Sequence, residues 1–344
     1  MRKLYMIISL AAILTLSIKT QAQFYDGFTG TGNIGGTCSD ATCNNNGWYT
    51  HSNSKPATID ILSGSLNYTG LAASTGNRVY ISGNTLELTR DVNAAVTGLT
   101  TVAYYSALIK VIDTTNLSAT GFDYFMSLGA TAGQSLTSMF ARLGIKSSNN
   151  KTNFRFGLLN NSGGTAYTEY ATDLVFGTTY LVVVKFDMTS KAASLWVNPS
   201  TLGGAEPSGS ITNTSSTTAP AAIASVVIRN GYNSTNLGGT PKAEIDEIRV
   251  GATFATVTPA FAGINSISKA NISVYPNPAK DMLFVRNAEG VNRIEICNII
   301  GTKAISQKLD SNGQIEVANL KKGIYFISLY SDNEIITTIK FIKE

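Results

Sequence analysis

His51 is the only histidine in the 344-residue chain. One imidazole leaves no His/Cys cluster for a catalytic metal, and no Gly-x-Ser-x-Gly turn accompanies it to build a Ser-His-Asp triad. In WYTHSNS it reads as a surface residue. Charge is sparse too, at 14% of residues, and 26 Lys and Arg against 22 Asp and Glu form no basic patch of the kind that holds nucleic acid. Beyond Ile18 no apolar run approaches the roughly 20 residues of a membrane helix, so no transmembrane segment is expected in the mature chain. Helical periodicity is missing after the first twenty residues, which argues against the helical classes. No motif calls for an organic cofactor. GTGNIGG, Gly30 to Gly36, matches a dinucleotide fingerprint in letters only, since an Asn-rich loop and not a helix follows it.

The first residues, MRKLYMIISLAAILTLSIKTQAQ, supply a basic start (Arg2, Lys3), an apolar stretch from Leu4 to Ile18 and a small-residue cleavage site at Thr20-Gln21-Ala22. Residues 1–22 therefore read as an export signal, whose removal with Arg2, Lys3 and Lys19 lowers the formal charge of +4 to +1. Three cysteines fit an oxidising compartment. Cys38 and Cys43, in CSDATC, suit a small disulfide-closed loop better than a zinc site, which lacks a second ligand pair, and Cys297 lies in the apolar strand IEICNII as a buried thiol.

Strand-like runs at regular spacing dominate from Thr101: TVAYYSALIKVI, FDYFMSLG, SMFARLGIK, TNFRFGLLN, TYLVVVKFD, ASLWVN, SVVIRN and AEIDEIRVG, separated by turns such as KSSNNKT. Many alternate with period two, as in Tyr180, Val182, Val184 and Phe186 against Leu181, Val183 and Lys185. The expected fold is all-β: a large antiparallel jelly-roll or β-sandwich over residues 23–257, a Pro-containing linker over 258–270, and a small immunoglobulin-like β-sandwich over 271–344.

The last segment carries VYPNP (Val274 to Pro278), MLFV, ICNIIG ending at Gly301, LKKGIYFI (Leu320 to Ile327) and Ile339-Lys340-Phe341-Ile342. In that order these motifs resemble the type A C-terminal sorting domain of the bacterial type IX secretion system. The resemblance implies a partner, the secretion machinery, and a domain that carries its cargo across the outer membrane and is then removed, the cargo being released or joined to surface lipopolysaccharide. Pro276, Asn277, Pro278, Gly323, Tyr325 and Lys340 are the motif residues. The prolines hold the chain extended and remove two N–H donors, which suits a strand at an edge.

The larger segment resembles the concanavalin A-like and laminin G-like sandwiches through FYDGF, GWYTHS, TYLVVVKFD with ASLWVNP, and AEIDEIRVG. That resemblance implies that the first and last strands lie together and that Trp48 opens a core strand. It also implies a structural Ca²⁺ at Asp246 with backbone oxygens near Asp26 and Gly27; hydrogen bonds to N–H groups, or an ion pair with an arginine, are the alternative. Laminarinase-like glycosidases on this fold use a Glu-x-Asp-x-x-Glu or Glu-x-Asp-x-Glu motif. Here Glu244 and Asp246 share a strand face, but Ile248 follows where the acid/base belongs and Glu247 points away.

Period two also sets Trp196 opposite Ala193, Leu195 and Val197, on a face with Ser194 and Asn198, either as a sugar-stacking ring or as a second-sheet core residue. SMFARLGIK and TNFRFGLLN are expected to form a hairpin with Arg142 and Arg155 facing away from Leu143 and Phe154. If Trp196 reaches the same sheet face, the three residues make a platform for an acidic or hydroxyl-rich polysaccharide. The expected protein is thus secreted or held at the outer cell surface, non-catalytic, and adhesive or glycan-binding toward a polysaccharide or a host or matrix glycan. A glycanase or lyase, and a passive surface-layer or matrix protein, are the alternatives.

Overall fold

The structure is a computed structural model and describes residues 22–36, 43–53, 58–83, 90–148, 151–161, 166–233, 238–261, 272–288, 291–310, 312–331 and 334–344. The export signal before Ala22, and Cys38, lie outside the described residues. The chain divides into two compact units, residues 1–261 and 262–344.

The first unit is a two-sheet antiparallel sandwich. Its first sheet runs Ile211–Asn213, Ala192–Val197, Thr179–Asp187, Val102–Val111, Lys242–Gly251, Arg78–Ser82, Ile59–Leu62 and Asn33–Ile34, with Phe24–Asp26 added against Lys242–Gly251. The first and last strands do lie together, Phe24 opposite Val250. The second sheet runs Thr168–Glu169, Phe154–Asn161, Met139–Ser147, Asp123–Gly129, Ile223–Asn230, Arg90–Leu99, Trp48–Asn53 and Asn44–Asn45.

Alternation decides which side chains enter the core. Tyr180, Val182, Val184 and Phe186 from the first sheet meet Phe140, Leu143, Ile145, Phe154 and Phe156 from the second, with Phe140 and Phe186 rings 5.2 Å apart. Each fully buried aliphatic or aromatic side chain of this kind contributes about 1.5–3 kcal/mol. Trp48 is fully buried between Phe24 and Phe28, as its place in the sequence suggested.

Two of the bulges among the described strands change which side chains face the core. In Met139–Ser147 the register shifts after Phe140, so Phe140 and Ala141 both face the core, with Ala141 at φ 49°. The Ala141 carbonyl accepts a 3.0 Å hydrogen bond from the Tyr105 hydroxyl of the opposite sheet, which offsets the cost of burying it. In Lys242–Gly251 the register shifts between Asp246 and Arg249, around Glu247 at φ 54°. Ile248 and Val250 therefore enter the main core while Asp246, opposite Leu108, faces the other side.

The outer side of the first sheet carries a second, smaller core: Leu66, Leu71, Tyr104, Leu108, Leu181, Val183, Trp196, Phe254 and Val257. Its cover includes the helix Phe254–Val257, capped by the Thr253 side chain. Composition had assigned 258–270 to a linker, but Gly203 N–H bonds to the Thr258 carbonyl (2.7 Å), Ala72 N–H to that of Pro259 (2.8 Å), and Phe261 N–H to the Gly70 carbonyl (2.8 Å). Those carbonyls and N–H groups bind residues 258–261 to the first unit.

The second unit holds a three-stranded sheet (Ser273–Tyr275, Met282–Arg286, Gln314–Glu316) and a four-stranded one (Lys303–Lys308, Arg293–Asn298, Gly323–Ser331, Glu334–Lys343) around Val274, Leu283, Ile294, Ile296, Ile327, Leu329 and Phe341.

Candidate functional site

The expected platform is not assembled. Trp196 lies in the first sheet, whereas Arg142 and Arg155 lie in the second. The periodicity placed the Trp196 ring on the correct face, but that face is covered. Trp196 is 3% exposed, its ring meets Phe254 edge-on at 5.4 Å, and its Nε1–H donates to the Pro207 carbonyl at 2.9 Å. It is a core residue of the outer cluster.

The carboxylates named for the expected calcium set are held by hydrogen bonds. Asp246 is fully buried, and its oxygens accept N–H groups of Leu66 and Glu247, each at 2.7 Å. Asp26 accepts the Phe28 N–H (2.7 Å) and the Trp48 indole N–H (2.8 Å). The hydrogen-bonded alternative describes both carboxylates, and among the described residues no group of three or more His, Cys, Asp or Glu could hold a metal. A Cβ on Gly27 would lie 2.3 Å from the Thr75 carbonyl and 3.3 Å from Glu247 Oε1, so this glycine serves close packing. Glu244 pairs with Arg78 (3.0 Å) and Lys110 (3.3 Å), and Glu247 with Arg249 and the Tyr25 hydroxyl (2.7 Å), which spreads the AEIDE acids over separate structural contacts. Cys43 is buried, and its expected partner Cys38 lies outside the described residues.

The hairpin holding Arg142 and Arg155 forms as expected, with Lys146 opposite Arg155 and Arg142 opposite Leu159. It belongs to the outer face of the second sheet, where polar side chains gather. Arg229 and Asp91 are directly opposed on neighbouring strands, with Arg229 Nε 3.8 Å from Asp91. Arg229 also donates to Asp123 at 2.8 Å. The Tyr124 ring has the guanidinium carbons of Arg142 and Arg229 at 4.2 and 4.9 Å from its centre. At the next positions along the sheet Gly144 faces Gly157, and a Cβ on either would strike the stacked pair Tyr167 and Phe122, whose rings are 5.1 Å apart. These glycines let two aromatic rings lie flat on the strands. At the other side Asn93 holds the loop after Gly129, exchanging hydrogen bonds with the Gly133 backbone at 2.8 and 2.9 Å.

On this face, among the described residues, five buried polar atoms have no hydrogen-bond partner: Asp91 Oδ1, Asp123 Oδ2, Arg142 Nε, Ser127 Oγ and His51 Nε2. His51 is half-buried, with Nδ1 3.0 Å from Asn93 Nδ2, and so departs from its expected surface role. Burial lowers its pKa to about 4, keeping it neutral at ordinary pH. Burial pushes Asp91 up to about 7 despite Arg229, and the Asp123 charge adds to the rise. Burial likewise raises Asp123 against the pull of Arg229. Unpartnered polar atoms in a sheet face are costly to fold, and each calls for a partner such as a water, an ion or a ligand. Arg155, by contrast, is engaged by Glu169 (2.7 Å) and Asp173 (2.5 Å), at the edge of this region. Sequence reasoning found Arg142 and missed Asp91, Asp123, Tyr124, Ser127 and Arg229. The available signal was a charged or hydroxyl residue recurring at outward positions of successive strands.

In the second unit the motif residues serve the closing strand. Asn277 spans it, donating to the Lys340 carbonyl (3.2 Å) and accepting the Ile342 N–H (2.9 Å). Pro276 and Pro278 flank that residue, and Ala279 N–H continues the pairing to the Ile342 carbonyl at 2.8 Å. Tyr325 stacks on Phe341 at 5.7 Å and donates to the Lys321 carbonyl at 3.0 Å. Gly323 opens its strand opposite Lys343, and Lys340 lies opposite Phe326.

The two units define an exported all-β protein: a cargo sandwich followed by a delivery module. Residues 273–344 match the family described as the secretion system C-terminal sorting domain, so this module is a type IX sorting domain, which engages that machinery and takes the protein to the outer cell surface. No curated protein matches the chain. Among solved structures it is similar to the Trypanosoma cruzi calreticulin globular domain, at 10% identity, over 69% of this chain and 90% of that one, with a TM-score of 0.39. A SAP-like pentraxin from Limulus polyphemus is similar at 13% identity over 53% of this chain and 79% of its own, with a TM-score of 0.35. A sialidase is similar at 13% identity over 60% of this chain, with a TM-score of 0.36, and the match spans only 17% of the sialidase. Among the described residues no helix is long and apolar enough to cross a membrane.

Proposed function

We propose that the larger unit is a non-catalytic carbohydrate-binding sandwich, delivered to the cell surface by its sorting domain, and that the outer face of the second sheet is its binding face. One observation carries this reading: among the described residues, five buried polar atoms without a hydrogen-bond partner collect on the face that also bears the Phe122–Tyr167 pair. Hydroxyl-rich ligands supply hydrogen bonds of both directions, and aromatic rings supply an apolar surface for the sugar's C–H groups. The expected result on a glycan array is retention of at least one polysaccharide class by the exported chain, with no sugar released in a parallel hydrolysis assay. Failure to retain any glycan would favour the passive surface-layer reading.

A second reading, a glycanase, draws on Asp91 and Asp123, two coupled buried carboxyls of raised pKa, since an acid that stays protonated near neutrality is what glycoside cleavage requires. Against it, Arg229 is hydrogen-bonded to Asp123 and lies beside Asp91, an arrangement that holds the acids in place. Release of reducing sugar that is lost in Asp91→Asn would establish the enzyme and overturn the binding module.

A further inference from the structure

We infer that the ligand of this face is a neutral, polyhydroxylated glycan and not an acidic one; the inference rests on the carbohydrate-binding reading above. The face has no net positive field to offer. Arg142, Lys146, Arg155 and Arg229 are matched by Asp91, Asp123, Glu169 and Asp173, and three of the four cations are already in ion pairs. Lys146 is 2.5 Å from Glu169, Arg155 is 2.5 Å from Asp173, and Arg229 is 2.8 Å from Asp123. Arg142 alone among them has no carboxylate within 4.0 Å among the described residues, and it is spread over the Tyr124 ring instead. A uronate or sulfate brought here would gain one cation and meet two buried carboxyls.

The unpartnered atoms make the same choice. Arg142 Nε and His51 Nε2 are donors, the latter because His51 Nδ1 faces the Asn93 amide N–H; Asp91 Oδ1 and Asp123 Oδ2 are acceptors when ionised; and Ser127 Oγ can be either. A carboxylate or sulfate group offers only acceptors, so the group that distinguishes an acidic glycan cannot serve either aspartate oxygen. A hydroxyl donates and accepts through one atom, directly or through a bridging water, so a run of neighbouring hydroxyls can serve every member of this set. Asp91 and Asp123 are 6% and 5% exposed and their unpartnered oxygens are buried, so a bridging water is the group that would link them to a ligand hydroxyl.

The test is calorimetric titration of the full chain with three polymer types: a neutral glucan or mannan, a polyuronate and a sulfated polysaccharide. The inference expects binding to a neutral polymer that changes by less than about twofold between 50 and 500 mM salt, because screening acts on net charge that this face lacks. Asp91→Ala should weaken that binding about tenfold, the loss of one well-placed hydrogen bond. If that variant does not fold, the salt response of the unaltered chain still decides. Binding confined to the uronate or sulfated polymer and falling steeply with salt would overturn the neutral-ligand inference while leaving the carbohydrate-binding reading in place. Absence of binding to all three would overturn both.

Discussion

Replacing Trp196 with alanine separates a packing role from a binding role. The indole is 3% exposed against Leu66, Leu71, Leu108, Leu181, Val183 and Phe254. Burying a tryptophan removes about 150–250 Å² from water, and at about 25 cal/mol per Å² this corresponds to about 4–6 kcal/mol. The cluster is built partly from the helix Phe254–Val257 and from Leu66 and Leu71 outside the strands, which can settle into the space, so a cost of about 3–5 kcal/mol is expected. For a sandwich of this size that lowers the melting temperature by about 6–20 °C, at roughly 2–4 °C per kcal/mol. Trp196→Phe keeps an aromatic ring against Phe254 and loses the bond to Pro207, so it should cost far less, with about 1 kcal/mol attributable to the hydrogen bond. Differential scanning calorimetry on the purified chain, following the larger unit's transition, reads both variants. A Trp196→Ala protein that melts with the wild type yet loses polysaccharide binding would refute the core assignment.

Two further perturbations test the buried acids and the sorting domain. Burial raises Asp91 and Asp246 from 3.8 to about 7 and also raises Asp26 and Asp123, so the folded chain holds protons that the unfolded chain releases above about pH 4. For Asp91 and Asp246 the stabilising protonation is fully present below the unfolded pKa and is lost as pH rises through about 7. The larger unit should therefore melt higher at pH 5.5 than at pH 8, by on the order of 2 kcal/mol for Asp91 and the same for Asp246. Asp91→Asn should remove its share, and a melting temperature that rises from pH 5.5 to 8 contradicts the assignment. Acids of lowered pKa, such as Glu169 and Glu206, act in the opposite sense, but only as pH falls toward 4 and below. In the sorting domain, Asn277→Ala removes both side-chain bonds to the last strand and should destabilise that unit by about 1–2 kcal/mol, with Asn277→Asp intermediate because it can still accept the Ile342 N–H. Urea unfolding measures this; unchanged stability with lost export would mean that the machinery reads Asn277 directly.

The class of fold and the delivery route were legible because they depend on local order. Period-two alternation assigns each strand residue to a face whatever the partners are, and it placed Tyr180, Val182, Val184 and Phe186 correctly in the core. The sorting motifs lie close together in the chain and could be read in order. Where alternation failed, a bulge had intervened. At Ala141 and at Glu247 the backbone takes positive φ, one residue slips, and Phe140 with Ala141, or Asp246 against Ile248, change sides.

The sequence alone determined an all-β chain, since hydrophobic periodicity and turn residues act over a few neighbours, and the ordered C-terminal motifs carried the resemblance to a sorting domain. Tertiary structure alone decided which outward faces remain open. Trp196 has an outward register in both accounts, but the helix Phe254–Val257, about sixty residues later, comes to lie over it. Conversely, Asp91, Asp123, Arg142 and Arg229 come from four strands of the second sheet spread over about 140 residues, and no local pattern links them. Pairing between strands distant in the chain, and the chain segments that cover or bare a sheet, are set by packing of the whole unit, so the covered tryptophan and the clustered acids and arginines appear only once it has folded.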